Sequence, residues 1–410
     1  SALAFFSSSV SGFSTGLPPP PHAAERRRVH KNVFRFMALV MLGALLQMLP
    51  VVVGVIVPWP RLTATLIHIP LTLGVLTLVG AFLSGIPVWF QAAWWLLGLG
   101  FSVALTTIHL ALWRAPVASG TVIALRCALV ALLATVGIGL LLGGFFGWGW
   151  RLPVVTMVHL HVAWGLIGWT VLLVAGVAYQ VIPMFQITPP YPVRFVRGFA
   201  PLMAALLVIW SVFALGGLET ATELAGVAVA VGVALFALTT LHLLARRRRK
   251  IGDPTLIYWR TSMISLLAGA VFWLLGLLVP ALRQMPQVDL LLGVLVIFGF
   301  AVAVINGMLY KIVPFLAWFH LQAQLFQRAK VPNMKRLLPD AAIRQQWWAY
   351  LAALLLLLAA AVHPAVFTYP AALALGGTGA WLGVNLVGVW RMYRQVLRDG
   401  LVSTSVVSNP

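Results

Sequence analysis

Residues 154–186 read VVTMVHLHVAWGLIGWTVLLVAGVAYQVIPMFQ, a run of 33 positions without one charged side chain. As a helix rising 1.5 Å per residue the run would be about 50 Å long, against about 30 Å for the hydrocarbon core of a bilayer, so it reaches across with room to tilt. Two imidazoles, His159 and His161, stand near its start, and Gly165, Gly168 and Gly176 interrupt its bulky surface. Outward from this run the rest of the chain has the same character. Its 410 residues are 62% hydrophobic and 8% charged, where an ordinary globular domain carries about 25% charged residues. Mean hydropathy is +1.02.

Further apolar runs lie near 33–58, 63–84, 88–113, 119–145, 197–217, 222–245, 258–282, 288–321, 347–367 and 371–393. With 154–186 they predict an all-α polytopic membrane bundle of about 11 transmembrane helices and leave no room for a separate soluble domain. Residues 1–32 read as a flexible N-terminal tail, 33–398 as a single transmembrane domain and 399–410 as a C-terminal tail. The lipid bilayer is therefore the first partner. The formal charge of +20 is not a nucleic-acid footprint, because the basic residues stand between apolar spans and form no continuous basic surface.

What is scarce narrows the chemistry. A single cysteine, Cys127, excludes a disulfide framework, cysteine-ligated zinc and an iron–sulfur cluster. The seven carboxylates, Glu25, Glu219, Glu223, Asp253, Asp289, Asp340 and Asp399, fall in loops, tails or helix ends. A carrier that couples to protons or cations usually holds an acidic group at depth, so this distribution argues against one. Metal chemistry is left to histidine.

The chain also repeats. Gly43-x-x-x-Gln47-x-x-Pro50, Gly176-x-x-Tyr179-Gln180-x-x-Pro183 and Gly307-x-x-Tyr310-Lys311-x-x-Pro314 set their prolines at nearly equal intervals along the chain. Ala104-Leu-Thr-Thr-Ile-His109 returns as Ala237-Leu-Thr-Thr-Leu-His242, displaced by the interval that separates Pro50 from Pro183. Four helices thus form a unit, with copies near 33–145, 154–282 and 288–393. Four is even, so the copies are parallel repeats about an axis near the membrane normal.

Among nine histidines, His30, His159, His161 and His363 fall near one end of their helices and His68, His109, His242 and His320 near the other; His22 lies in the tail. Imidazole facing lipid is costly, so most are expected to face the bundle interior, either in interhelical hydrogen bonds or as ligands. His159 and His161, two positions apart, diverge by about 200° around a helix and serve two different neighbours. The glycines beside them admit a flat macrocycle or a neighbouring helix. Haem iron takes axial imidazole, which makes the pair candidate haem ligands.

The segment from His159 through Trp164, Gly165, Gly168, Trp169 and Tyr179 to Pro183 resembles a haem-carrying helix of the haem-copper oxidase superfamily, above all of C-type oxidases and nitric oxide reductases. That family has twelve helices in three four-helix arcs, similar to the repeat found here. The resemblance implies haem b, with His161 and His159 as iron ligands and His30 as the outer histidine of an equivalent helix. It also implies an electron-donor protein or quinol as partner and a bacterial inner membrane as location. Two departures are plain. No His-His dipeptide exists, so the family's copper ligands have no counterpart and copper is not expected, and the helix near 288–321 opens with Asp289-Leu-Leu-Leu292 and no histidine. The expectation is accordingly a relative without dioxygen reduction, similar to the NnrS-type membrane proteins associated with nitric oxide tolerance. The alternative is a permease or assembly factor that passes a metal ion or haem along His30, His159 and His161. Lys311, where the second copy has Gln180, reads as a proton or anion site or as a lysine snorkelling to the headgroups.

Counted with the N-terminus outside, 18 basic residues fall on the cytoplasmic side and 7 on the outer side. The positive-inside rule then places the C-terminus in the cytoplasm. A reporter fused after Pro410 is expected to give a cytoplasmic reading; a periplasmic one reverses the side of every histidine.

Overall fold

The computed structural model describes residues 40–47, 49–50, 54–55, 59–115, 119–248, 252–325 and 331–407, and no strand occurs among them. Ten of their helices are long and apolar enough to cross a membrane. They are α1 (Pro60–Ser84), α2 (Pro87–Trp113), α3 (Gly120–Trp148), α4 (Val154–Gln186), α5 (Val193–Leu215), α6 (Glu219–Ala245), α7 (Thr255–Leu278), α8 (Val288–Gln324) and α9 (Asp340–Val362), followed by α10 (Pro364–Val407). All ten match expected spans. The eleventh, 33–58, lies mostly outside the described residues, of which 40–47 and 49–50 are helical, and the expected tail 1–32 lies outside them altogether.

Proline and glycine punctuate the helices. Pro60, Pro87 and Pro364 open α1, α2 and α10, where the missing N–H costs nothing and the fixed φ suits the first turn. Gly85 and Gly149 close α1 and α3 in the left-handed region at φ 71°, which glycine adopts without strain. The boundary between the last two helices differs from the expectation. The chain breaks at His363, whereas Pro370, expected between the spans, lies inside α10. Pro364 at a helix start is the stronger signal, and it moves the break upstream. At its other end α10 stays helical to Val407, past the point where a tail is expected to begin, since no proline stands between Asp399 and Val407 to stop it.

The helices form two compact units, residues 1–248 with 266–289 and residues 249–265 with 290–410. In the first, α3 is the hub, packing on α2, α4 and α5, while α5 and α6 form a hairpin. Gln91 Nε2 and Trp94 Nε1 of α2 donate to the α3 carbonyls of Gly147 and Leu140 at 2.7 and 3.0 Å. In the second, α10 packs on α9 and α8. The most apolar stretch of α4 is 61% buried and that of α8 50%, against 17–39% in the other eight, so these two are the inner helices of their units.

Both inner helices widen into π geometry, α4 over Trp164–Val171 and α8 over Val294–Val302. The two segments end at equivalent points, Val171 standing as far before Pro183 as Val302 stands before Pro314. Glycines give each segment a close neighbour. A methyl group added at Gly168 would lie 2.8 Å from Ala131 Cβ of α3, and one at Gly299, its repeat counterpart, would lie 2.6 Å from Ser265 Cβ of α7. Gly176 meets Ala124 and Leu125, and Gly307 meets Tyr258 and the Thr255 carbonyl, in the same way. Helix propensity alone would gain about 1 kcal/mol from glycine to alanine in a helix interior. The contacts reverse that sign: Gly168→Ala and Gly299→Ala are each expected to cost about 1–3 kcal/mol by overpacking. Gly276→Ala, with nothing within 4 Å, should be neutral or stabilising in thermal unfolding of the detergent-solubilised protein.

Candidate functional site

His161 lies seven residues into α4, about 10 Å along it, and its ring rests against α3. Nδ1 is 3.0 Å from the Thr135 carbonyl oxygen, and a methyl group added at Gly139 would come within 3.0 Å of Cε1. The ring therefore sits over one turn of α3, between Thr135 and Gly139, and only a glycine at 139 leaves it space. A carbonyl can only accept, so Nδ1 carries the hydrogen and donates it. In the neutral ring this puts the lone pair on Nε2. An imidazole held at Nδ1 by a backbone carbonyl and open at Nε2 is the arrangement in which histidine coordinates a metal, the carbonyl fixing ring orientation and basicity from behind.

His159, two positions earlier, is exposed, whereas His161 is half-buried. Trp164 is buried and donates from Nε1 to Ser211 Oγ of α5 at 3.0 Å, and Ser211 in turn donates to the Leu207 carbonyl at 2.6 Å. Gly165 and Gly168 both face α3: a methyl group at Gly165 would lie 3.3 Å from Thr135 Cγ2. Of the two occupants the glycines admitted, a helix is the one present. Ala131, Leu142, Met157, Leu160, Trp164 and Leu207 make an apolar cluster beside the imidazole. Exposed Trp148 and Trp150, stacked with centroids 5.7 Å apart, stand at the end of α3 and before α4, as interfacial tryptophans do.

The remaining candidates are not assembled with His161. His30 lies outside the described residues. His68 is half-buried near Gly43, whose added methyl group would be 3.8 Å from the ring. His363 is exposed at the break before α10. Tyr179 is buried, its ring edge-on to Tyr191 at 5.1 Å, and its hydroxyl has no partner among the described residues. The expectation that most imidazoles face the interior does not hold. His109, His159, His242, His320 and His363 are exposed, and His109 stacks on Trp113 near the end of α2. Near a helix end an imidazole reaches the headgroups, so the cost of facing lipid does not arise. No group of three or more His, Cys, Asp or Glu side chains placed to hold a metal occurs among the described residues.

Lys311 does not snorkel. Its Nζ donates to Asp253 Oδ2 at 2.7 Å, with both side chains largely buried in the second unit. Asp253 Oδ1 accepts from the backbone N and Oγ1 of Thr255, at 3.0 and 2.7 Å, which caps the start of α7. Sequence reasoning missed this pair because its members are 58 residues apart. Beside it, Tyr310 Oη accepts from Asn385 at 2.9 Å. Tyr258 donates to Gln346, whose amide donates to the Thr378 hydroxyl and carbonyl. Compared with protein families and with curated proteins, the chain matches none of either.

Burial by itself would raise the Asp253 carboxyl, but the hydrogen bonds from Lys311 and Thr255 and the lysine charge outweigh it, and the group is held below its ordinary value. A carboxyl lowered on folding contributes stability that is present above the unfolded value and is lost as pH falls through the folded one. Wild-type protein is expected to lose this contribution below about pH 4. Asp253→Asn should cost about 3 kcal/mol at pH 7 and should flatten the acid limb of the stability curve measured by thermal unfolding.

Proposed function

We propose that the protein is a haem-binding integral membrane protein of haem-copper oxidase-like architecture, acting in electron transfer or in the response to nitric oxide or a related gas. The observation that carries the reading is His161, a half-buried imidazole with Nδ1 committed to the Thr135 carbonyl and no hydrogen-bond partner at Nε2 among the described residues. Such a nitrogen would hold the iron of a haem b. His161 would thus be one protein ligand, with His30 as the candidate for another. The bound haem would supply a reducible iron that also takes diatomic gases. The chain's own part is to hold the imidazole tautomer, to exclude water with the cluster around Trp164 and to fix α4 against α3.

Architecture supports the reading from a second direction. The π segments, the glycine contacts and the tyrosine–x–x–x–proline endings recur at one common sequence offset, as parallel four-helix repeats require. A third copy, from the first spans, would complete the pseudo-threefold arrangement of the family it resembles. The same reading puts the N-terminus outside a bacterial inner membrane and leaves dioxygen reduction at a copper centre out.

The visible spectrum of the purified protein tests this. A reducible Soret band is expected. His161→Ala should remove it or convert its spin state, and His159→Ala should retain more of it. Gly139→Val, which drives a side chain into the imidazole, should lower haem content severalfold, whereas Gly137→Val, with open space around it, should not. Iron without stoichiometric copper is the expected metal content. Absence of a Soret band after expression with a haem precursor, or equal retention in all four variants, would remove the proposal.

A further inference from the structure

The charge of the first unit is concentrated at one end. Arg194 and Arg197 stand in the first turns of α5, and Arg246, Arg247 and Arg248 follow the last turn of α6. These positions are brought together by contacts. The backbone N of Arg248 donates to the carbonyl of Ile187, just past α4, at 2.9 Å, and Tyr191 Oη lies 2.9 Å from Thr240 Oγ1 of α6. The starts of α3 and α5 also meet there, since a methyl group at Gly120 would overlap Val196. Two helix N-termini, each equivalent to about half a positive charge, thus join five arginines.

No carboxylate of the first unit stands at that end among the described residues. Among the described residues of the first unit the carboxylates are Glu219 and Glu223, which open α6 at its opposite end, and Asp289, which opens α8. Among the described residues of the second unit, Asp253 and Asp340 are bonded to Lys311 and Lys335, and Asp399 stands exposed on α10. Arg194, Arg197, Arg246 and Arg248 are exposed, while Nη1 of Arg247 is shut off from solvent and finds no acceptor among the described residues. Guanidinium groups match phosphate oxygens in pairs, which ammonium groups do not. The cluster lies where the apolar helices stop, at headgroup level, so the phosphodiester within reach is that of a lipid.

We infer that Arg194, Arg197 and Arg246–Arg248 form a binding surface for the phosphodiester headgroups of anionic phospholipids. This inference is independent of haem. It also goes beyond topology, because it assigns a lipid preference to one place on the molecule, the end where α5 begins and α6 stops. Arg126, at the same end, does not belong to it: its Nη2 donates to the Leu112 carbonyl at 2.8 Å and closes the last turn of α2.

The full chain reconstituted in phosphatidylcholine vesicles with trace spin-labelled lipid gives the test. The motionally restricted fraction of labelled phosphatidylglycerol should exceed that of labelled phosphatidylcholine by about threefold or more at low salt, in line with the attraction per basic residue near anionic lipid. The ratio should fall as salt is raised. Arg194→Gln with Arg197→Gln, and separately Arg246→Gln with Arg248→Gln, should each bring it toward one. Arg151→Gln, in the loop between α3 and α4 at the other end, should leave it unchanged. If a double variant fails to fold, Arg197→Gln alone and the wild-type salt titration decide. A wild-type ratio of one, an equal fall in Arg151→Gln, or displacement by inorganic phosphate at constant ionic strength would each overturn the assignment, the last by showing a site for a free anion.

Discussion

Hydrocarbon offers no hydrogen bonds, so every carbonyl released inside a membrane helix must find a donor within the protein. The π segments of α4 and α8 loosen the regular ladder and create that demand. In α8 it is met from outside the helix: Tyr350 donates to the Phe298 carbonyl and Ser262 to the Phe300 carbonyl, the latter at 3.0 Å. In α4 it is met locally, by Thr170 Oγ1 donating to Gly165 O at 2.9 Å. Much of the remaining buried polarity follows from this requirement. The donors of the second unit come from α7 and α9, and Tyr258 and Trp347 then extend the network through Gln346 and Thr261.

The same local geometry thus serves two ends. In the first unit the surface between α3 and α4 carries one oriented imidazole, and the packing around it is apolar. At the repeat position in the second unit that corresponds to His161 stands Leu292, and the polarity has moved to tyrosine, glutamine and a lysine–aspartate pair. Lipid tails are as apolar as leucine, so apolar packing alone does not drive helices together in a membrane; small-residue contacts and interhelical hydrogen bonds do. The first unit relies on the glycines 165, 168 and 176, and the second combines Gly299 and Gly307 with its polar network. Outward, both present leucine, valine and tryptophan to the surroundings, among them Leu373 at 78% exposure and Trp95 at 66%, as a lipid-facing surface requires.

Spans were legible in the sequence because hydropathy sums over many positions and no single one decides it. Boundaries were less so. Pro364 and Pro370 both offered a break, and the one that suits a first helical turn, Pro364 after His363, is where the chain breaks. The divergence of His159 from His161 follows from helix geometry and needed no structure. The acceptor for His161 could not be read, since Thr135 acts through its backbone and any residue at 135 supplies a carbonyl. Gly139 carried a faint signal, as one of several small residues in α3, with nothing to distinguish it from Gly137. Asp253 looked like a loop residue, and a loop residue it is; what the sequence hides is that α8 brings Lys311 to it.

An imidazole steered by a main-chain oxygen has an unusual genetic property. No point substitution deletes that oxygen, so the tautomer of His161 is insulated from most mutations in α3. Drift can act on it only through bulk at position 139, or through anything that rotates α3 about its axis, such as loss of the Gln91 and Trp94 bonds to the Gly147 and Leu140 carbonyls. The imidazole's electronic character is thereby tied to helix register, and variants that tune it are expected on α2, which packs against α3.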